Sequence, residues 1–291
     1  MKIFSVIVCY NPEIANLSNL CRVLSINEIS IILVDNTEVS YIEDMATSFG
    51  AELINLNENL GIAKAQNIGI THALKNNAEL VVFFDQDSVI ENDFIANLIK
   101  PLTNIYTPMV VSPVFFDEKQ GFRFPSYRLN KFGLLKKIGV VDNAEMYDVD
   151  MIISSGSAVT KTTFDTVGLM NEDYFIDFVD TEWILRCRAK KIPVKVISSA
   201  IMKHSIGDKS INLKFMRVFI HSPVRSYYKV RNSFLFFKCK DVPLMLGLKE
   251  ITSALVHNFL TIIVAENRWE YLKNYFQAIK DGLVGTTGKK I

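Results

Sequence analysis

Apolar positions along this 291-residue chain recur with two different periods. In the first hundred residues the β-branched and aromatic runs FSVIVCY, ISIILVD, AELINL and ELVVFFD alternate with stretches of helical pattern. The helical stretches lie near Glu13 to Leu24, near Val39 to Phe49 with Gly50 closing it, and from Ile62 to Lys75. Four strands separated by helices predict an α/β fold with a largely parallel central sheet flanked by helices, because parallel neighbours require crossovers that cover both faces. Ligands of such sheets bind outside the carboxyl ends of the strands. Those ends carry Cys9-Tyr10-Asn11-Pro12, Asp35-Asn36, Asn57-Glu58-Asn59 and Asp85-Gln86-Asp87, so polar groups are delivered to one edge.

Further along, MVVSPVFF, YDVDMIIS and VKVIS read as strands that extend the same sheet, with a helix near Asp180 to Lys190. From Asn212 onward the pattern turns helical. Trp269, Leu272, Phe276, Ile279 and Leu283 recur at spacings of three and four and form one apolar stripe. The chain thus divides into 1–105, 106–211 and a helical C-terminal appendage, 212–291. The final GTTGKKI is expected to fray.

Composition narrows the possibilities. With 49% hydrophobic and 22% charged residues the chain is globular rather than disordered. Cys9, Cys21, Cys187 and Cys239 form no C-x-x-C pair, which argues against a zinc site or disulfide framework and for reduced thiols in cytosol. No apolar run reaches the ~18 residues of a membrane-spanning helix, and the N-terminal run is too short for a signal sequence. Net charge is +1, yet Lys209 to Lys240 holds eight Lys/Arg and no Asp/Glu, interleaved with seven Phe/Tyr. Such a segment suits an anionic membrane surface, nucleic acid, or an amphipathic core or dimer face.

Several residues at the polar edge carry chemistry. Asp85 and Asp87, two apart after a strand, can present both carboxylates to one side about 6–7 Å apart. A divalent ion needs only one or two protein carboxylates when a diphosphate brings its own oxygens. The bland alternative is a polar turn capping a helix that begins near Glu91. Asp180 and Glu182 face different ways on a helix, so only one can address a common ligand. Arg225, Tyr228 and Arg231 fall at spacings of three and are candidates to meet phosphate oxygens.

Taken in order, the V-x-V-x-Y-N-P strand, Asp35 at the second strand end, N-E-N-L-G-I-A-K-A-Q-N-I-G-I and the D-x-D resemble glycosyltransferase family 2. The likeness continues through SSGSAV, FIDFVDTEW, HSIG and HSPVRSYYKVRN, roughly Ile3 to Phe236, where it is most like the bacterial dTDP-rhamnose rhamnosyltransferases. It implies the GT-A nucleotide-sugar fold, with a nucleotide-sugar-binding half in 1–105 and an acceptor and catalytic-base half in 106–211. It implies that Tyr10, Asn11, Asp35, Asn59, Gly61, Asn67 and Asp85 bind the nucleotide sugar, joined by Arg225, Tyr228 and Arg231 at the departing diphosphate. Asp87 and His204 would hold a divalent cation, Mn or Mg. Asp180 would be the general base, with Asp177 its competitor because the family commonly has Glu-Asp where this chain has Val179-Asp180. Ser155, Gly156, Ser157 and Trp183 would meet the acceptor.

The expected activity is inverting transfer of L-rhamnose from dTDP-β-L-rhamnose to a hydroxyl of a lipid-linked surface polysaccharide. It is placed at the cytoplasmic face of the bacterial plasma membrane, with peripheral membrane contact, no nucleic acid, and an oligomer through the C-terminal helices left open. A UDP-hexose donor and a non-catalytic nucleotide-binding scaffold are the alternatives. A Rossmann dehydrogenase is disfavoured, since the first strand runs into CYNPEIANL without G-x-G-x-x-G.

Overall fold

The computed structural model describes residues 1–102, 104–118, 120–203, 210–213, 216–219 and 221–290. The first half alternates as the pattern requires: β1 (Ile3–Cys9), α1 (Ile14–Ile26), β2 (Ser30–Asp35), α2 (Glu43–Ser48), β3 (Glu52–Asn55), α3 (Ile62–Lys75), β4 (Leu80–Asp85) and α4 (Phe94–Ile99). There follow β5 (Val110–Asp117), β6 (Phe122–Arg123), β7 (Ser126–Leu129), β8 (Leu135–Ile138), β9 (Met146–Asp148) and β10 (Ala158–Thr160). Next come α5 (Lys161–Val167), α6 (Val179–Ala189) and β11 (Val194–Lys203). The chain closes with β12 (Ser210–Leu213), β13 (Met216–Phe219), α7 (Pro223–Lys238), α8 (Leu244–Val264) and α9 (Arg268–Val284).

The main sheet runs β3-β2-β1-β4-β10-β5-β11-β9, with β6 paired to β5. β3, β2, β1 and β4 are mutually parallel and β5 is parallel to β11, while β10 lies antiparallel between β4 and β5. Register sets Cys9 beside Asp35, Asp35 beside Asn55 and Val8 beside Asp85, so the polar strand ends form one line.

Strand alternation sorts the core into two layers. Phe4, Val6, Ile32, Val34, Val81 and Phe83 face α3, α5 and α6, whereas Ile7, Cys9, Ile31, Leu33, Val82 and Phe84 face α1, α2 and α4. The small residues on the buried face of α3 let it approach closely: a Cβ on Gly69 would lie 2.5 Å from Val6 Cγ1. The C-terminal helices are not set apart from this core. Leu235 and Phe236 of α7, Val242 of the connection after it and Leu246 of α8 join the same apolar cluster as Trp183.

Two expectations from sequence need correction. Residues 212–219, read as the start of the helical region, include a two-stranded antiparallel hairpin, β12 with β13. Its signature is the alternation of Ile211 with Leu213 and of Met216 with Val218. Nor does the terminal segment fray. Gly288 N donates to Asp173 O at 2.9 Å and Lys290 N to Tyr228 Oη at 2.7 Å, which ties residues 288–290 to the body.

Candidate active site

Along the carboxyl edge, short-range hydrogen bonds fix the loops before any ligand is considered. Tyr10 N donates to Gln86 Oε1 at 2.6 Å and Gln86 Nε2 returns to Tyr10 O at 3.1 Å, clasping the end of β1 to the D-x-D turn. Asn11 takes a left-handed conformation (φ 46°) and donates to Thr37 Oγ1. Asp35 is fully buried; Oδ1 accepts from Thr37 N at 3.0 Å while Oδ2, also buried, has no protein partner. A buried carboxylate oxygen left unpaired is expensive, so such an atom marks a place where something else completes the bond.

The turn before α3 is built from side-chain amides. Asn59 Oδ1 accepts from Gly61 N and from Asn36 Nδ2, and Asn36 Oδ1 accepts from Leu60 N. Gly61 has φ 84° and ψ 163°, a region essentially confined to glycine, and a Cβ there would sit 2.5 Å from the Phe175 carbonyl oxygen. That same carbonyl accepts Ile62 N at 2.8 Å. Asn67 does not join this edge. Its amide is spent on Met170 N, Met170 O and Glu172 Oε1, pinning α3 to the segment before α6.

Asp85 and Asp87 are both exposed at the end of β4. Asp85 N donates to Ser155 Oγ at 3.1 Å, and Ser155 Oγ also pairs with Ser88 Oγ, so the S-S-G-S turn supports the D-x-D from below. In that turn only Ser154 and Ser155 border the main cleft. Gly156 (φ 74°) backs onto Met202 and Pro113, and Ser157 Oγ is bonded to Ser154 O.

Opposite stands the N-terminus of α6. Asp177 and Phe178 are consecutive left-handed residues, φ 63° and 64°, a strained entry that neighbouring side chains enforce. Asn232 Nδ2 donates to Ile176 O at 2.7 Å, and Arg231 Nη2 to Asp173 O at 3.3 Å. Asp180 then falls in the first turn, half-buried, with Oδ1 accepting from Thr181 N at 2.8 Å and Oδ2 from Ser154 N at 3.3 Å. Burial raises its pKa; the two N–H groups oppose the shift and the nearby Asp177 charge adds to it. Asp177 Oδ1 accepts from Arg225 Nη2 at 3.3 Å. Glu182, by contrast, is buried and paired with Arg186 Nε at 2.9 Å, which leaves Asp180 to address the cleft.

Between these two walls lies a cleft of about 490 Å³ whose lining includes Gln66, Asp85, Ser154, Ser155, Asp177, Asp180, Arg225 and Lys229. Gln66 and Lys229 escaped the sequence reading. Lys229 lies four residues after Arg225, which on a helix turns it only about 40° away, whereas Arg231 is turned about 120°. Spacing of three therefore misleads over two steps. Arg231 is fully buried, held by Asn232 Oδ1, Asp173 O and Gly288 O beneath the Tyr228 ring, and does not reach the cleft. Tyr228 is buried too, stacked on Phe175 at 4.9 Å. Trp183, expected at the acceptor, is 2% exposed, with Nε1 bonded to the Gly168 carbonyl at 2.9 Å.

His204, the expected second metal ligand, lies outside the described residues. Among the described residues no group of three or more His, Cys, Asp or Glu could hold a metal ion. Asp85 and Asp87, both exposed at the end of β4, would be the carboxylates to hold a hard cation that drew its remaining oxygens from a diphosphate. The cysteines are free, and burial pushes the thiols of Cys21 and Cys187 up to about 12, away from reactive use. Among the described residues no helix is long and apolar enough to cross a membrane.

Comparison with known proteins agrees with this geometry. A sequence model described as Glycosyl transferase family 2 matches residues 5–166. The dTDP-rhamnosyl transferase RfbF of Shigella flexneri is 42% identical over 288 residues, covering 99% of this chain and 97% of its own length. S. aureus TarS 1-349 superposes with a TM-score of 0.56 at 14% identity, over 99% of this chain and 83% of that one. Its complex with UDP-GlcNAc gives 0.57 at 14% identity over 98% and 82%. These likenesses give the chain a GT-A-like fold, and the family match together with the close relative shows that it belongs to glycosyltransferase family 2.

Proposed function

We propose that the chain is an inverting rhamnosyltransferase that moves L-rhamnose from dTDP-β-L-rhamnose to a hydroxyl of a lipid-linked bacterial surface glycan. The observation that carries the reading is one cleft bordered by Asp85 of the D-x-D on one wall and Asp180 on the other. The sugar is taken from the relative at 42% identity, itself a dTDP-rhamnosyl transferase.

In this mechanism the nucleotide lies along the strand ends. Asp35 Oδ2, buried and without a protein partner, would be satisfied by the imide N–H of thymine. A divalent cation, bound chiefly by Asp87 with Asp85 beside it, would supply positive charge for the leaving diphosphate. Arg225 and Lys229 add charge of the same sign to the cleft wall. Asp180 takes the proton of the acceptor hydroxyl as that oxygen bonds to the anomeric carbon and the sugar–phosphate bond breaks on the opposite side. The raised pKa of Asp180 strengthens it as a base, and no covalent enzyme intermediate forms.

A panel of nucleotide sugars tests this. Transfer or slow hydrolysis should be fastest with dTDP-rhamnose, and the product should be the α-L-rhamnoside by NMR. Preference for a UDP-hexose would replace the donor, and tight nucleotide binding without turnover would make the chain a scaffold. Contact with an anionic membrane surface is part of the proposal and draws on the exposed apolar residues of α8, Met245, Leu248, Val256, Phe259 and Ile263.

A further inference from the structure

A second chamber of about 280 Å³ opens beside the cleft. Its walls include Phe115 of β5, Phe124 and Tyr127 of the β6–β7 region, and Met151. It shares two lining residues with the cleft, Ile153 and Thr181. Thr181 Oγ1 lies 3.4 Å from Asp180 Oδ1, so the shared wall of the two spaces stands within the width of one hexose ring of the Asp180 carboxyl. Whatever presents its hydroxyl to Asp180 therefore places another edge of the same sugar at the mouth of this chamber.

The chemistry of the walls says what that edge is. Thr181 Oγ1 donates to Asp180 Oδ1, Ser126 Oγ pairs with Tyr147 Oη at 3.1 Å, and Ser112 Oγ turns to the Pro113 carbonyl. The serine and threonine hydroxyls on the wall are thus engaged within the protein, and apart from the Tyr127 phenol the side chains of the lining are apolar. A hydroxymethyl arm placed here would give up its bonds to water, whereas a methyl group would lose nothing.

We propose that this chamber is the acceptor-sugar subsite and that it selects an acceptor residue bearing a methyl group, carried as a 6-deoxy carbon or as an N-acetyl. The inference rests on Asp180 being the base of the transfer proposed above.

The test compares two matched pairs of acceptors, 6-deoxyhexosides against their 6-hydroxy counterparts and N-acetyl sugars against the parent hydroxyl sugars. An apolar pocket rejects an analogue that adds a hydroxyl by up to about 10²-fold, so at least one pair should differ by about tenfold or more in kcat/KM, and which pair does so identifies the carrier of the methyl. Phe124→Ala, at a partly exposed position, should reduce that preference, with retained nucleotide affinity as the check that the variant is folded. Equal use of both members in both pairs overturns the proposal even if the variant fails to fold, as does a preference that Phe124→Ala leaves intact. Binding of the free methyl glycosides, followed by saturation-transfer NMR, separates the two readings. Methyl-selective binding without turnover of any nucleotide sugar removes the transferase reading and keeps the subsite; turnover without selectivity does the reverse.

Discussion

At Asp180, two backbone N–H groups and a half-buried setting pull the carboxyl in opposite directions, and burial prevails. A base must be ionised to act, so the acid limb of the rate profile should fall above the usual carboxylate range. Asp180→Asn should lower transfer by ~10²–10⁴-fold while calorimetry with dTDP and cation finds donor affinity retained. With one acceptor oxygen, Asn can keep only one of the two backbone bonds, a loss of about 1 kcal/mol that is opposed by removal of a half-buried charge. A carboxyl whose folded pKa is raised contributes stability below its unfolded pKa and loses it as pH rises through the folded value. Asn, which does not titrate, should therefore gain on the wild type in thermal melts as pH increases. Asp177→Asn is the control, with the smaller effect on rate; the opposite ranking would move the base to Asp177. For Asp87→Asn, turnover should nearly cease with the fold intact, and chelation of the wild type should abolish activity until Mn²⁺ or Mg²⁺ is restored. Full activity in chelator would remove the cation from the mechanism.

Helix α7 works on both walls at once. Ser222 caps it by accepting Arg225 N at 3.2 Å, with Pro223 at the first turn, so H-S-P-V-R fixes where the helix begins. One face then presents Arg225 and Lys229 to the cleft, and the other sends Arg231 and Asn232 to the carbonyls of the 173–176 segment. Phe175 of that segment stacks on Tyr228 and accepts Ile62 N, which links α7 to the turn before α3. Arg231→Met would leave Gly288 O, Asp173 O and Asn232 Oδ1 without this donor, at about 1–3 kcal/mol for each buried group that finds no other partner. Denaturant titration should show a loss of at least ~2 kcal/mol on that basis, and transfer should fall although Arg231 touches no substrate. Gly61→Ala at the other end of the link should cost about 1–3 kcal/mol and raise the donor KM, because its Cβ meets the Phe175 carbonyl.

Over the whole molecule, half of the segregated charge noted in sequence is found in the body of the protein or at the cleft. Of the eight basic residues in 209–240, Arg231 is buried, Arg225 and Lys229 line the cleft, and Lys238 Nζ donates to Gly282 O and Leu283 O at the end of α9. The proposed membrane contact would therefore draw on fewer cations than the count suggests, and more on the exposed apolar residues of α8. Removal of residues 288–291 takes away partners of Arg231 and Tyr228. A melting temperature lowered by several degrees is expected, at about 2–4 °C per kcal/mol for a chain somewhat smaller than this, with a parallel loss of transfer. An unchanged melt and rate would show the segment to be passive.

Local periodicity was enough to read the parallel half of the sheet, its helices and the line of polar strand ends, because strand and helix patterns are carried by neighbours a few residues apart. The places of Asp35, Asp85, Asp87 and Asp180 in the fold were legible for the same reason: each follows or opens a recognisable element. What sequence could not decide was direction in space. Tyr228, Arg231, Asn67 and Trp183 have the chemistry of site residues, yet rotation about their helix axes and the approach of the 168–176 segment turn them inward. Lys229 and Gln66 are turned toward the cleft by the same rotation. The antiparallel insertion of β10 between β4 and β5, and the return of residues 288–290 to α7, join positions 76 and 62 residues apart, Val82 with Ala158 and Tyr228 with Lys290. No local pattern encodes such pairs, since their free energy comes from burial and hydrogen bonds that exist only once the chain has folded.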